Sequence, residues 1–94
     1  MAQPPEFLDG ARVLQFASLG QAQPSGKTKH VVDGVVVSRF ASVAIAKYDG
    51  GSEGVYLFYC DDYWNVVTDT FHDDVVSAVQ QAHFEFGLLS FEEV

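Results

Sequence analysis

Residues 55–70 read VYLFYCDDYWNVVTDT, and this stretch determines the architecture of the chain. Its first part, Val55–Cys60, is apolar at odd and even positions alike, which is typical of a strand covered on both faces. Asp61 and Asp62 then favour a turn. The β-prone residues 64–70 are predicted to pair back on Val55–Cys60 in the antiparallel direction. We therefore expect an antiparallel sheet in which Val55–Cys60 is a central strand.

Further strands are predicted before this hairpin. Residues 40–47 form an apolar row at alternate positions, as a strand does. Residues 12–19 favour a strand, and a helix over residues 5–19 is the alternative. Residues 31–37 are β-branched but are interrupted by Asp33-Gly34, a dipeptide that favours a type I′ hairpin turn or a bulge.

A single helix is predicted after the strands. Its apolar face is formed by residues that recur with the 3.6-residue period of a helix: Val75, Ala78, Val79, Ala82 and Phe86. Thr70 is the expected N-cap, Gly87 the expected end, and residues 88–91 an expected short edge strand. This order predicts an α+β fold: an antiparallel sheet of four to five strands with one C-terminal helix packed on one face.

Length and composition are those of one folded domain. The chain has 94 residues, and its 48% of hydrophobic and 19% of charged residues exclude a disordered acidic chain. We treat residues 1–94 as a single domain. Residues 1–10 are polar and contain two prolines, which predicts little regular structure. Residues 20–29 collect Gly, Pro, Ser and Thr and are predicted to form a flexible loop.

The cysteine content and the N-terminus indicate a compartment. Cys60 has no second cysteine with which to form an intramolecular disulfide, which indicates a reducing environment. The first residues lack the basic and apolar regions of a signal peptide, and no apolar stretch approaches the roughly 18 residues of a membrane span. The sequence therefore predicts a bacterial cytoplasmic protein that does not insert into a membrane.

Charge is distributed unevenly along the chain. The net charge is −8, and all five Lys and Arg residues lie in the first 47 positions. The remainder carries ten acidic residues and no Lys or Arg. Such a field repels nucleic acid and anionic lipid, so neither is an expected partner. A basic protein or a cation is the natural complement.

Three patterns that suggest enzyme chemistry are incomplete. Residues 20–28 resemble a phosphate-binding loop, but five residues separate the two glycines where the motif has four. His83 and Glu85 match part of a zinc-deaminase signature whose Cys-x-x-Cys ligands are absent. Cys60 adjoins Asp61 and Asp62, whose charges disfavour a reactive thiolate. We therefore predict no catalytic residue, no metal site and no cofactor.

Aromatic side chains are concentrated in the same half of the chain as the acids. One helix covers one face of a sheet, so the other apolar face must meet either the 12–37 segment or another protein. Aromatic anchors beside fixed negative charges are the composition favoured where a basic partner docks. The candidate partner-binding residues are Asp61, Asp62, Tyr63, Trp64, Asp69, Asp73 and Asp74.

The run from Tyr56 to Asp61, continued by Trp64, residues 68–72 and the helix up to Phe86, resembles a family of small, uncharacterised bacterial proteins. Members carry a similar YLFYCD…W…TDT.H…A..QA.FEF run, which covers about 35 of the 94 residues. The resemblance implies an α+β fold and a small cytoplasmic protein, and it assigns no catalytic residue. A looser similarity, of type and not of motif, is to immunity proteins, small acidic α+β domains that block a toxin.

Three functions are compatible with these features. The leading hypothesis is a non-enzymatic binding module whose acidic, aromatic surface engages a protein partner, with an immunity-type toxin inhibitor as one version. The second is a self-associating domain that forms a homodimer through the uncovered sheet face. The third is a small metal-dependent enzyme.

Overall fold

The computed structural model describes residues 3–20, 30–37, 40–50 and 53–94. It consists of an antiparallel sheet with one helix near the C-terminus packed against it, so the predicted α+β fold is confirmed. The elements are β1 (Phe7–Leu8), β2 (Ala11–Ser18), β3 (His30–Val32), β4 (Val35–Val37), β5 (Ser42–Lys47), β6 (Val55–Cys60), β7 (Val66–His72), α1 (Val75–Phe86) and β8 (Glu92–Glu93).

The main sheet has the strand order β1-β2-β5-β6-β7, and β8 pairs with β2 beside β1. β6 is an interior strand, as predicted, because β5 and β7 pair with it on its two edges. The sheet exceeds the expected four to five strands because β1 and β8 contribute two residues each. β3 and β4 form a separate hairpin. Its turn residues Asp33 and Gly34 have φ values of 52° and 79°, as a type I′ turn requires.

The N-terminal segment differs in part from the prediction. Residues 12–19 are largely a strand and not a helix, since β2 pairs with β5 along most of its length. Within residues 1–10, which were expected to have little structure, Phe7–Leu8 pairs with β2. The reason is a tight turn at Asp9 and Gly10, where both φ values are positive and the chain reverses onto itself. The predicted loop at 20–29 lies, apart from Gly20, outside the described residues.

The helix begins later than predicted. Thr70 is not its N-cap, because Thr70 pairs with Leu57 inside β7. Asp74 takes that place: its backbone is extended, and its carboxylate accepts a hydrogen bond from the Ser77 N–H at 2.8 Å. Gly87 ends the helix, as predicted, with φ at 83°. Within the described ranges, no helix combines the length and the apolar content needed to cross a bilayer.

The last strand also lies later than predicted. Residues 88–91 are not a strand, and β8 is formed by Glu92–Glu93. Leu89 and Phe91 instead pack against the core beneath the helix. This packing brings the next two residues to the edge of β2, where they pair with Gln15 and Phe16.

Two apolar clusters lie on opposite sides of the main sheet. The side that carries α1 is called the helix face here, and the other side the second face. Along β6, Leu57 and Tyr59 belong to the helix-face cluster, whereas Phe58 and Cys60 belong to the second-face cluster. Both sides of β6 are therefore buried, as its continuous apolar sequence predicts.

Candidate functional site

The second face is closed in part by its own aromatic side chains. The Trp64 ring packs edge-on against Phe16, with ring centroids 6.0 Å apart and an interplanar angle of 84°. Tyr56 and Phe58 lie nearly parallel, 6.0 Å apart. Beneath these rings, Ala44 and Cys60 have no exposed surface. Much of this face is therefore core, although α1 lies on the other side.

Three aromatic rings meet at one end of the second face, and two of them are exposed to solvent. Tyr56 on β6 contacts Phe71, its register partner on β7, at 5.2 Å and 67°. It also contacts Tyr48, which follows β5, at 5.4 Å and 84°. Phe71 is 50% exposed and Tyr48 is 38% exposed. Two large rings thus stay in water although they lie beside a buried core.

A glycine makes room for this arrangement. A Cβ atom at Gly54 would lie 2.1 Å from Cζ of Phe71 and 3.0 Å from the His72 carbonyl oxygen. Real Cβ atoms do not approach other atoms at the first of these distances. The Phe71 ring therefore lies across the backbone just before β6, at a position that only glycine can occupy without displacing it.

Two carboxylates lie near the same rings. The Tyr48 hydroxyl donates a hydrogen bond to the Asp9 carbonyl oxygen at 3.0 Å, which joins it to the turn between β1 and β2. Asp69 is exposed on β7, two residues before Phe71 and on the same face. Partial burial and the negative charges of Asp9 and Asp69 raise the pKa of Tyr48 above its ordinary value.

We name this surface the acid-flanked aromatic patch and define it by Tyr48, Tyr56, Phe71, Asp9 and Asp69. Within the described ranges, no Lys or Arg forms an ion pair with either of its two carboxylates. Arg12 does form an ion pair, but its partner is Glu6, at 3.1 Å, which is not part of the patch. A cationic group from outside can therefore meet the Asp69 carboxylate and the exposed Phe71 ring together.

In the predicted group at residues 61–64, two of the four side chains are engaged in contacts within the protein. The Asp61 carboxylate accepts hydrogen bonds from Asn65 Nδ2 at 3.0 Å and from the backbone N–H groups of Asn65 and Tyr63, each at 2.9 Å. These bonds, led by that of the Asn65 side chain, hold the pKa of Asp61 below its ordinary value. Trp64 has φ at 63° and turns its ring onto Phe16. Asp62 and Tyr63, the latter 84% exposed, are the exposed members of this group, whereas Asp61 and Trp64 are half-buried.

The remaining predicted residues lie elsewhere. Asp74 caps α1, and Asp73 is exposed beside it. β7 separates this pair from the turn at Asp61 and Asp62, and its seven residues span on the order of 20 Å. Asp69 lies between them, in the acid-flanked aromatic patch. The structure therefore distributes the predicted residues over three places and adds Tyr48, Tyr56, Phe71 and Asp9, which the sequence did not single out.

A buried polar network lies under the helix. The Tyr59 hydroxyl donates a hydrogen bond to Oε2 of Glu85, which is only 2% exposed. The side chains of Thr70 and Gln81 also hydrogen-bond to Tyr59. Burial and the Glu85 contact raise the pKa of Tyr59 far above its ordinary value, so the phenol stays protonated. Since Tyr59 is fully enclosed, this network fixes the helix on the sheet and offers no surface to a substrate.

The position of Glu85 in the sequence is a signal for this network. Glu85 lies seven residues after Ala78 and three after Ala82, so it belongs to the apolar face of the helix. A glutamate at such a position requires a buried hydrogen-bond donor, and Tyr59 supplies it.

Cys60 is a buried apolar residue, as predicted. It has no exposed surface, and burial followed by the charges of Asp61 and Asp9 raises its pKa to about 12. The thiol is therefore protonated at neutral pH and lacks the thiolate that nucleophilic chemistry needs.

An open groove of about 530 Å³ runs along the outer edge of β2. It is lined by Pro4, Glu6, Arg12, Val13, Leu14 and Val94. Its cation is already engaged, since Arg12 pairs with Glu6 and lies 4.9 Å above the centre of the Phe7 ring. Across the described residues, no three His, Cys, Asp or Glu side chains are grouped closely enough to hold a metal ion.

Comparison with known proteins adds no relative. Neither a protein-family model, nor a curated protein, nor a solved structure matches this chain. Function is therefore inferred from the geometry of the acid-flanked aromatic patch.

Proposed function

We propose that this protein is a non-enzymatic binding module that engages a basic protein partner through the acid-flanked aromatic patch. One observation carries the proposal: Tyr48 and Phe71 are exposed at one end of the second face. Asp69 is exposed on the same face of β7 as Phe71, and Asp9 belongs to the turn that holds the Tyr48 hydroxyl. Large rings supply most of the binding energy in many interfaces, and neighbouring charges select and steer the partner.

The charge of the whole chain supports the same conclusion. The chain carries a net charge of −8, and its last 47 residues contain no Lys or Arg. Asp62 and Asp73 are exposed on either side of β7 and extend the negative surface beyond the patch. Such a field accelerates encounter with a basic protein and disfavours nucleic acid.

An immunity-type role is the most concrete version of this function. A toxin that cleaves nucleic acid needs a basic surface to bind its substrate. An acidic module with aromatic anchors can cover that surface and so compete with the substrate. We propose also that the protein is a member of the small bacterial family that it resembles and that it is located in the bacterial cytoplasm.

Affinity capture with matched variants tests the proposal. The immobilised protein is exposed to a lysate of its source organism at low and at high ionic strength. We expect the wild type to retain a basic protein stoichiometrically at low salt and to release it at high salt. The variant Asp69→Asn/Phe71→Ser should lose this protein, and the control Asp62→Asn/Tyr63→Ser should keep it.

The opposite outcomes are informative. Retention that is independent of salt and of both variants contradicts an acidic, aromatic interface. Loss in the Asp62→Asn/Tyr63→Ser variant alone moves the interface to the turn between β6 and β7. In that case the binding function stands and the acid-flanked aromatic patch is not its site.

Self-association is the second candidate, and the position of Phe71 favours it. Phe71 is half exposed on β7, which is the last strand on its side of the main sheet. Two copies could bury this ring against each other. Light scattering over a concentration series should then show a dimer that Phe71→Ser abolishes, whereas a monomer at every concentration excludes this candidate.

A further inference from the structure

The three rings of the acid-flanked aromatic patch are inclined to one another. Tyr48 and Phe71 both stand steeply to Tyr56, at 84° and 67°, instead of stacking flat on it. The faces of the rings therefore point in different directions. Each aromatic face carries negative potential, which attracts a cation placed above it. Because Tyr48 and Phe71 keep 38% and 50% of their surface exposed, part of this potential is open to solvent.

The two carboxylates approach these rings from different parts of the fold. Asp9 belongs to the turn between β1 and β2, and Asp69 belongs to β7 at the far edge of the sheet. The Tyr48 hydroxyl donates to neither carboxylate, since its proton is directed to the backbone carbonyl oxygen of Asp9. A cation seated here gains from charged hydrogen bonds and from the ring faces at the same time.

The molecule uses this combination once already. The Arg12 guanidinium lies 4.9 Å from the centre of the Phe7 ring and 3.1 Å from Oε1 of Glu6. This contact shows that a planar cation can satisfy an exposed ring and an acid together on this protein's own surface. The acid-flanked aromatic patch offers more rings and a second carboxylate, and the described residues supply it with no arginine.

We propose that the acid-flanked aromatic patch is a receptor for an arginine side chain of the partner, with the guanidinium beside Asp69 and against the exposed ring of Phe71. Tyr48 and Asp9, on the other side of Tyr56, add negative potential to the same surface. This inference rests on the proposed function and names the chemistry of its contact. Arginine fits better than lysine because its flat guanidinium is weakly hydrated, stacks on rings and carries donors in several directions.

Small probes test the receptor without the partner. The protein is titrated with N-acetyl-arginine amide, N-acetyl-lysine amide and N-acetyl-citrulline amide, and its aromatic and backbone NMR signals are followed. Citrulline has the shape of arginine without its charge. We expect the arginine probe to shift the ring signals of Tyr48, Tyr56 and Phe71 and to bind more tightly than the lysine probe. The citrulline probe should leave these signals in place.

Two variants locate the contact. Phe71→Leu keeps an apolar side chain and removes the aromatic face. It should lower the affinity for the arginine probe about two- to fivefold. Asp69→Asn should weaken it to a similar extent, whereas Asp62→Asn, with the same loss of charge at the distant turn, should have little effect. Unchanged backbone signals on α1 would show that the variants remain folded.

Other results overturn the inference. Equal binding of arginine and citrulline probes would remove the role of charge, and equal effects of Asp62→Asn and Asp69→Asn would remove the site. If the arginine probe does not shift the patch while Phe71→Ser still abolishes capture of a basic protein, the binding function stands and the arginine receptor falls. If the probe binds but no basic protein is captured, the receptor stands and the proposed function falls.

Discussion

Each face of the main sheet buries an apolar cluster, but the two clusters are closed in different ways. The helix face is sealed by α1, and its buried polar atoms are satisfied, with Glu85 bonded to Tyr59. The second face is covered partly by its own rings and ends at Tyr48 and Phe71, which stay half open. Exposed aromatic side chains that adjoin a buried core and charged residues often mark a binding site, so the open end of the second face is the best candidate for one.

The largest effect is expected from a ring that belongs to the closed part of the second face. Phe58 is only 1% exposed, so Phe58→Ala should cost about 3–5 kcal/mol of unfolding free energy through lost burial and a cavity. Phe71→Ala, on the same face, should cost only about 1 kcal/mol because half of its surface is already in water. Urea unfolding of both variants measures the difference. Equal losses would show that the second face has no boundary between core and binding surface.

A smaller loss is expected at Gly54, which lies under the Phe71 ring. Gly54→Ala should cost about 1–3 kcal/mol, because the new Cβ would overlap the ring and crowd the His72 carbonyl. It should also lower the affinity for the arginine probe, because the Phe71 ring would be displaced.

A double-mutant cycle provides the control for Gly54. In a Phe71→Ala background the ring is gone, so Gly54→Ala should cost less than it does alone. If its cost is the same in both backgrounds, the backbone and not the ring sets the requirement for glycine, and the link from Gly54 to the patch is wrong.

The helix face was predictable from the sequence to a greater extent than the second face. The period that places Ala78, Ala82 and Phe86 on one side of α1 is local, and so is the signal of Gly87. The acid-flanked aromatic patch depends instead on strand register and on a turn. Tyr48, Phe71 and Asp9 come from three separate segments, and no local pattern shows that they meet.

The turn at residues 61–64 shows what local reasoning leaves out. Its acids and rings are adjacent in sequence, which suggested a binding surface. In the fold, the Asp61 carboxylate satisfies the amides of its own turn and Trp64 points inward onto Phe16. Short polar side chains in turns are commonly used in this way, so adjacency in sequence overstates how much of such a group remains free.

An effect of about 1 kcal/mol is expected at the start of the helix, just after β7. Asp74→Ala removes the carboxylate that accepts from the Ser77 N–H and should lower the melting temperature accordingly. Asp73→Ala removes the same charge from the neighbouring exposed position and should change it far less. A drop of equal size in both variants would assign the effect to charge near the helix terminus and not to the cap.

The smallest effect concerns pH and asks whether the two faces are coupled. His72 lies next to Phe71 on β7, but its Nε2 is 2.7 Å from Oγ1 of Thr70 on the helix face. Burial lowers the pKa of His72 below its ordinary 6.5, although the charges of Glu85 and Asp73 oppose the shift. As pH falls below about 6.5, the unfolded chain binds the proton first. The contribution of neutral His72 to the free energy of unfolding is therefore complete above this pH, and it is lost as pH falls through the pKa of His72 in the folded protein.

Urea unfolding of the wild type and of His72→Gln over this pH window isolates the contribution, because the carboxylates titrate in both proteins. On acidification, the free energy of unfolding should fall more in the wild type than in the variant. The difference between them should be smaller than the effect of removing the Asp74 cap. Identical slopes would show that His72 does not titrate against folding. The arginine probe should bind equally well throughout while the protein remains folded, since His72 faces the helix and the patch faces away from it. Parallel loss of probe binding and of the His72 contribution would instead mean that β7 transmits changes from one face to the other, and the two faces would have to be treated as one site.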